Sequence, residues 1–145
     1  MQPINKMRTE FLSKSANESF ARVVAASFAA QADPSIEVVA DIRTAVSEAV
    51  TNAIVHGYFE NEKETVYMCL ELAGERLTIK VVDTGAGIED IEKAREPLYS
   101  TRDFEERAGL GFTIMDIFSD ELTVLSAPGE GTTIIAVKNI ELEAV

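Results

Sequence analysis

A long apolar stripe at helical spacing between residues 38 and 54 constrains the fold of this chain more than any other feature. Its members are Val38, Val39, Ile42, Val46, Ala49, Val50, Ala53 and Ile54. Apolar residues spaced three or four apart predict one long helix that buries a single face. Pro34 and Ser35 suit the first positions of this helix, and Gly57 suits its end. We therefore expect one helix to lie across the main core.

Two polar side chains lie one helical turn apart along the edge of this stripe. Glu48 and Asn52 share that edge and His56 continues the row, whereas Ser47 and Thr51 are predicted to face solvent. A carboxylate at the boundary between core and water can be held in place and still reach a ligand. Taken alone, the Glu48 and Asn52 pair is more often a solvated glutamate and an ordinary helix asparagine.

Length and charge narrow the class of protein. A chain of 145 residues with 46% hydrophobic residues fits a single domain, residues 1–145, with its own core. Thirteen basic against twenty-five acidic residues give a net charge of −12. Phosphate and anionic lipid attract clustered lysine and arginine, so we expect no direct binding of nucleic acid and no membrane association. A basic protein surface is a better match.

Cysteine, histidine and apolar runs exclude further classes. Cys69 is the single cysteine and His56 the single histidine, too few for an internal disulfide or a transition-metal site. The first residues show no secretory leader, and the longest apolar run, residues 23–30, is too short to span a bilayer. These observations predict a cytoplasmic protein.

Local patterns predict five strands and a small number of helices in the order β-α-α-β-β-α-β-β. The predicted strands are residues 7–12, 65–72, 77–82, 122–125 and 132–137, and the predicted helices are residues 15–31, 34–57 and 112–118, with a short one at 88–94. Strands joined mostly by hairpins and faced by helices indicate a mixed, mostly antiparallel sheet with helices on one face. The fold class is therefore α/β, in the form of an α+β two-layer sandwich.

The first and last helices carry more specific expectations. Ser15 and Glu18 have the spacing of a capping box, and Arg22 is predicted to face solvent. The residues predicted to face inward are Phe20, Val23, Val24 and Phe28 in the first helix, and Ile114, Ile117 and Phe118 in the last.

Two glycine motifs follow the central helix in the chain. Asp83-Thr-Gly-Ala-Gly87 ends a strand, where the carboxylate could accept a hydrogen bond from the exocyclic amine of adenine. Its glycines would let a flat ring or a phosphate approach the backbone. Gly109-Leu-Gly111 directly precedes a helix, whose free amides and dipole suit phosphate. Each motif is weak evidence alone, but in this order after a Glu-x-x-x-Asn helix the combination is strong.

The three motifs together resemble those of the Bergerat-fold (GHKL) ATPases and kinases, the family that includes gyrase, MutL and the histidine kinases. Residues 17–22, 47–58 and 111–115 are also similar to one branch of that family, the anti-sigma factor kinases of sporulation. The anti-sigma kinases of the general stress response are the close alternative. A detached histidine-kinase domain is disfavoured, because His56 lies inside the nucleotide-binding helix.

This resemblance implies a serine/threonine protein kinase with a second role as an anti-sigma factor. It implies binding and inhibition of a sporulation RNA polymerase sigma factor, and ATP-dependent phosphorylation of a serine in an anti-anti-sigma protein. ATP or ADP with Mg²⁺ and a homodimer are implied as well. The alternatives are a general-stress anti-sigma kinase, or an ATP-dependent clamp on a sigma factor without significant kinase turnover.

The resemblance also assigns roles to individual residues. Glu48 would be the general base, Arg107 a lid arginine that neutralises the γ-phosphate, and Asn52 the Mg²⁺ ligand. Arg22 would contact the sigma factor, and residues 95–108 would form a lid over the nucleotide. The residues expected to bind the nucleotide are Asn52, Asp83, Gly85, Gly87, Thr101, Gly109, Leu110, Gly111, Phe112 and Thr133, with Thr133 placed near adenine and Asp83.

Overall fold

The computed structural model describes residues 5–96 and 110–140. Its elements follow the predicted order with longer strands. They are β1 (Asn5–Leu12), α1 (Ser15–Ala29) with a short 3₁₀ turn (Ala30–Ala32), α2 (Ile36–Thr51) with a π-helix (Asn52–Gly57), β2 (Thr65–Ala73), β3 (Arg76–Asp83), α3 (Ile91–Ala94), α4 (Gly111–Phe118), β4 (Glu121–Ser126) and β5 (Thr132–Asn139).

The five strands form one sheet in the order β1-β2-β3-β5-β4. We predicted a mixed, mostly antiparallel sheet, and all four neighbouring pairs in the described part of the chain are antiparallel. A two-residue turn joins β2 to β3 and a five-residue loop joins β4 to β5. Connections this short permit only antiparallel neighbours. The predicted hairpin at Gly74 is confirmed, because Ala73 pairs with Arg76 and Gly74 has a φ of 61°.

The core lies between the helices and one face of the sheet. The helix-facing side of β2 and β3 buries Val66, Met68, Leu70, Leu72, Leu77, Ile79 and Val81. From α2 and the π-helix, the core receives Ile42, Val46, Ala49, Val50, Ala53 and Ile54, as the apolar stripe predicted. The helix begins at Ile36, two residues later than predicted, and Ser35 is its N-cap, whose hydroxyl accepts a hydrogen bond from the Val38 amide at 3.2 Å.

The predictions for α1 were wrong in two respects. Lys14 rather than Ser15 is the N-cap residue, and its side chain makes no cap, so the predicted capping box does not form. The inward face consists of Ala21, Ala25, Phe28 and Ala29, whereas Phe20 is 67% and Val23 is 50% exposed. Small alanines allow α1 to lie close against α2, and this close packing leaves two larger apolar side chains outside.

The last helix also turns a different face inward. Phe112 and Met115 are buried, whereas Ile117, which we predicted to be inward, is 67% exposed. Apolar residues surround most of α4, so periodicity alone does not select the face. The position of α4 against α2 selects it.

No helix among residues 5–96 and 110–140 is long and apolar enough to cross a lipid bilayer.

Candidate nucleotide site

The central helix continues past α2 into the π-helix without a break and connects the parts of the site. Asn52 lies at the junction and is half-buried, and Gly57 is the last π-helical residue. The widened turn is visible in the hydrogen bond from the Tyr58 amide to the Ala53 carbonyl at 2.9 Å. Short π-helical segments are rare in proteins, and those that do occur are often found at functional sites.

Glu48 is more buried than its predicted boundary position. The residue is 5% exposed, and its carboxylate faces the first residue of α4. A Cβ built on Gly111 would lie 3.6 Å from Glu48 Oε2. The structure therefore brings Glu48 together with the second glycine motif. They meet at the N-terminus of α4, which is the positive end of the helix dipole.

Asp83 is buried at the end of β3, with 3% of its surface exposed. Its Oδ1 accepts a hydrogen bond from the Gly85 amide at 2.9 Å, and the Thr132 amide also donates to the carboxylate. Burial raises the pKa of Asp83, and these two backbone hydrogen bonds lower it again in part. The raised pKa means that the ionised carboxylate costs folding free energy at pH values above that pKa. A ligand amine that donates to the carboxylate would offset this cost.

The glycines of the first motif make room for protein backbone. A Cβ on Gly85 would lie 2.1 Å from the Gly57 carbonyl oxygen, and a Cβ on Gly87 would lie 1.9 Å from that of Ala127. Gly87 also has a φ of +74°, which L-residues rarely adopt. In the structure, the close approach at these glycines is that of the loop to the helix end and to the β4–β5 turn. Contact of a nucleotide ring with these glycines stays a prediction.

Sequence reasoning missed a third glycine. A Cβ on Gly131 would lie 2.1 Å from the Asp83 carbonyl oxygen, so this turn packs directly against the end of β3. Ser126 supports the same contact, because its hydroxyl donates to the Gly131 carbonyl and accepts from the Ile88 amide, both at 2.8 Å. The sequence indicated only a turn here, since the partner of that turn is far away along the chain.

The threonine beside Asp83 is Thr132, and our placement of Thr133 there was wrong. Thr132 pairs with Asp83 across β3 and β5, whereas Thr133 pairs with Val82. Directly paired residues share a face of the sheet, and neighbouring residues along a strand alternate faces. Thr133 therefore lies on the face away from the helices, and Thr132 is 4% exposed beside the carboxylate.

The second glycine motif is described from Leu110 onward. Leu110 is the N-cap residue of α4, and its carbonyl accepts the first helical hydrogen bond, from the Ile114 amide at 2.9 Å. The amides that precede Ile114 in a helix start have no partner within the helix. Phe112 is 6% exposed and packs in the core, so a phosphate would meet its backbone.

Several predicted site residues lie outside the described residues. These are Thr101, Arg107 and Gly109, together with all of the predicted lid at 95–108 except Arg95 and Glu96. Arg95 anchors the start of that segment, because its guanidinium donates to Asp116 Oδ1 at 2.8 Å.

Arg22 lies on α1, outside the nucleotide cluster, by which we mean the residues around Glu48, Asp83 and Gly111. Its side chain is 40% exposed, and Nε pairs with Glu18 Oε1 at 3.1 Å. The Ser47 hydroxyl donates to the same Glu18 oxygen. Ser47 is therefore half-buried, in contrast to our prediction that it faces solvent. Through Glu18, the exposed arginine is connected to the residue next to Glu48.

Within residues 5–96 and 110–140, no three histidine, cysteine, aspartate or glutamate side chains cluster as a metal site. Mg²⁺ needs no such cluster, because it is usually held by one or two protein oxygens, substrate phosphates and water. The half-buried Asn52 side chain has an oxygen of the required kind.

Comparison with known proteins places this geometry in a family. Residues 11–138 match the family described as the histidine kinase-like ATPase domain. The chain is 58% identical over 140 residues to an anti-sigma F factor of Thermoanaerobacter sp. (strain X514), covering 97% of both chains. It is 54% identical over 138 residues to the anti-sigma F factor of Clostridium acetobutylicum, covering 95% of this chain and 96% of that protein.

A solved structure supports the fold independently. The crystal structure of the RsbU and RsbW domains of Rv1364c from Mycobacterium tuberculosis superposes with a TM-score of 0.69 at 18% identity. The match covers 98% of this chain and 34% of that one, so this chain spans about a third of that protein. With the family match and the identities above, the chain belongs to the anti-sigma F factors, which carry a histidine kinase-like ATPase domain.

Proposed function

We propose that this protein binds and inhibits a sporulation sigma factor and uses ATP to phosphorylate a serine of its anti-anti-sigma protein. The observation that carries the proposal is that one continuous helix lies against both glycine motifs. At Gly57 its backbone lies against the Asp83 carboxylate, and at Glu48 its side chain faces Gly111. These two positions suit the two ends of one bound nucleotide.

The spacing along this helix supports ATP as the ligand. Glu48 lies nine positions before Gly57, which is about 13 Å at the α-helical rise of ~1.5 Å per residue. An extended nucleoside triphosphate has comparable length. Asp83 would accept from the adenine amine, while the amides at the start of α4 would meet the phosphates. Gly109, Thr101 and Arg107 are proposed to complete the phosphate contacts.

Glu48 is proposed to act as the general base toward the attacking serine. Its carboxylate would take the hydroxyl proton while the serine oxygen bonds to the γ-phosphorus and ADP leaves. Mg²⁺, with Asn52 as its protein ligand, would supply charge neutralisation at the phosphates.

The direct test is a transfer assay with purified protein, labelled ATP, Mg²⁺ and a candidate anti-anti-sigma protein. We expect label on a serine of the partner. Absence of label despite ATP binding would favour the alternative, an ATP-dependent clamp on a sigma factor. Transfer only to the partner protein of a general-stress system would support the other alternative.

Arg22 is proposed to contact the sigma factor from the exposed side of α1. We expect Arg22→Glu to weaken sigma binding at least thirtyfold, on the order of the ~2 kcal/mol loss that defines a hot spot. Nucleotide affinity should remain unchanged, because Arg22 lies outside the nucleotide cluster. Arg43→Glu is the matched control, since Arg43 is exposed on α2. Undiminished sigma binding in Arg22→Glu would remove this residue from the interface.

We also propose a homodimer, supported by the apolar residues that α1 leaves outside. Ala16, Phe20, Val23 and Ser27 are exposed and follow one another along one side of the helix. In an antiparallel contact of two α1 helices, each Phe20 would meet Val23 of the second copy. Sedimentation equilibrium should give a mass of two chains for the wild-type protein. The Phe20→Asp variant should have the mass of a single chain. A monomeric wild-type protein at high micromolar concentration would contradict this proposal.

A further inference from the structure

Beyond the residues already assigned to nucleotide binding, the structure contains a buried tyrosine that contacts the chain immediately after Asp83. We propose that Tyr58 is a positioning residue whose hydroxyl sets the affinity and the base selectivity of the nucleotide site. It does so by holding the Asp83–Thr84 peptide in place. The inference rests on the proposed binding of ATP and adds a selectivity determinant to that site.

The Tyr58 hydroxyl uses its full hydrogen-bonding capacity. The residue is 6% exposed. The hydroxyl donates to the Thr65 carbonyl at the start of β2 at 2.6 Å and accepts from the Thr84 amide at 2.7 Å. Thr84 Oγ1 lies 3.2 Å from the same oxygen. A phenol has one donor and can accept further bonds through its oxygen, so these three contacts fit its capacity.

These contacts fasten the first glycine motif at its second residue, Thr84. The Ala86 amide donates to the Gly57 carbonyl at 2.9 Å, which fastens the same loop two residues later. Between these two points, the Gly85 amide turns back to Asp83 Oδ1. The carboxylate that would accept from a ligand amine is thus held by the same loop. The consecutive residues Gly57 and Tyr58 therefore determine where the carboxylate lies.

Loss of the hydroxyl should act on the recognition of the amine more than on the fold. Tyr58→Phe keeps the ring in the core and removes only the atom that Thr84 and Thr65 contact. The Ala86 contact and the glycine packing remain. We therefore expect the loop to stay folded while Asp83 loses its fixed position. The hydrogen bond to the adenine amine should weaken, whereas the phosphate contacts at α4 should not.

The experiment compares ATP with ITP, which carries an oxygen in place of the adenine amine. Equilibrium binding of both nucleotides is measured for wild type, Tyr58→Phe and Tyr67→Phe. For wild type we expect ATP to bind more tightly than ITP. For Tyr58→Phe we expect ATP affinity to fall about tenfold, equivalent to about 1.4 kcal/mol, with ITP affinity changed less than twofold. The selectivity ratio should therefore fall by at least fivefold.

Tyr67→Phe is the matched control, because it deletes a tyrosine hydroxyl on the opposite face of the sheet. The Tyr67 ring lies under the Arg8 guanidinium at 4.7 Å, away from Asp83. Both nucleotide affinities should stay at the wild-type value. Thermal unfolding of each variant shows whether the protein is still folded.

The results separate this inference from the proposed function. A wild-type protein that fails to bind ATP would contradict the function itself. If wild type binds ATP selectively and Tyr58→Phe keeps both affinities, the role of Tyr58 is wrong. Equal losses for ATP and ITP would also overturn it, because they would indicate general damage to the domain.

Discussion

Replacement of Glu48 by glutamine is expected to slow phosphoryl transfer by at least about 100-fold, in the range that removal of a general base typically causes. Glutamine keeps nearly the same shape and volume, so the packing around this buried side chain should persist. It cannot take the proton of the attacking serine. ATP affinity should remain within about threefold of wild type, because the proposed base acts on the protein substrate rather than on the nucleotide.

The measurement is single-turnover transfer of labelled phosphate to the anti-anti-sigma protein, with ATP binding measured in parallel. Glu37→Gln serves as the control, because Glu37 is exposed in the first turn of the same helix. That variant should transfer phosphate at the wild-type rate. Transfer by Glu48→Gln within threefold of wild type would show that another group accepts the proton.

The second large effect is expected on stability, from Gly87→Ala. The added methyl group would meet the Ala127 carbonyl oxygen at 1.9 Å, and the φ of +74° disfavours any L-residue. The backbone term costs about 1–2 kcal/mol, and overpacking against a backbone that cannot easily shift adds about 1–3 kcal/mol. Together they should lower the free energy of unfolding by about 2–5 kcal/mol.

Gly129→Ala separates the backbone cost from the overpacking cost. Gly129 has nearly the same φ, +77°, but a Cβ there meets nothing within 4 Å. The free energy of unfolding of Gly129→Ala should fall by the backbone term alone, about 1–2 kcal/mol. Urea unfolding of both variants gives the difference between them. Equal losses would mean that the loop moves aside at little cost and that the close approach at Gly87 is not required.

Local sequence patterns were sufficient for the order of the elements and for the three motifs. The helical stripe between residues 38 and 54 predicted the central helix, because burial of one helix face leaves a period in the sequence itself. Alternation and turn residues predicted the strands and the hairpin at Gly74 in the same way. The motifs around Glu48, Asp83 and Gly111 were visible because each is contiguous in the chain.

Contacts between distant segments decided what the patterns left open. Thr132 rather than Thr133 lies beside Asp83, because a strand shifted by one residue turns every side chain to the other face. Phe20 is outside because α1 packs through its alanines. Gly85 and Gly87 are required by the backbone of Gly57 and Ala127, which no local pattern places nearby.

The sequence by itself thus determined which elements form and which residues are candidates for nucleotide binding, because helix period, strand alternation and motif spacing are local properties. Only the tertiary structure decided how deeply Glu48 is buried, why the glycines are needed and that Tyr58 holds the end of β3. Those facts depend on packing between segments far apart in the chain, and such packing leaves no period in the sequence.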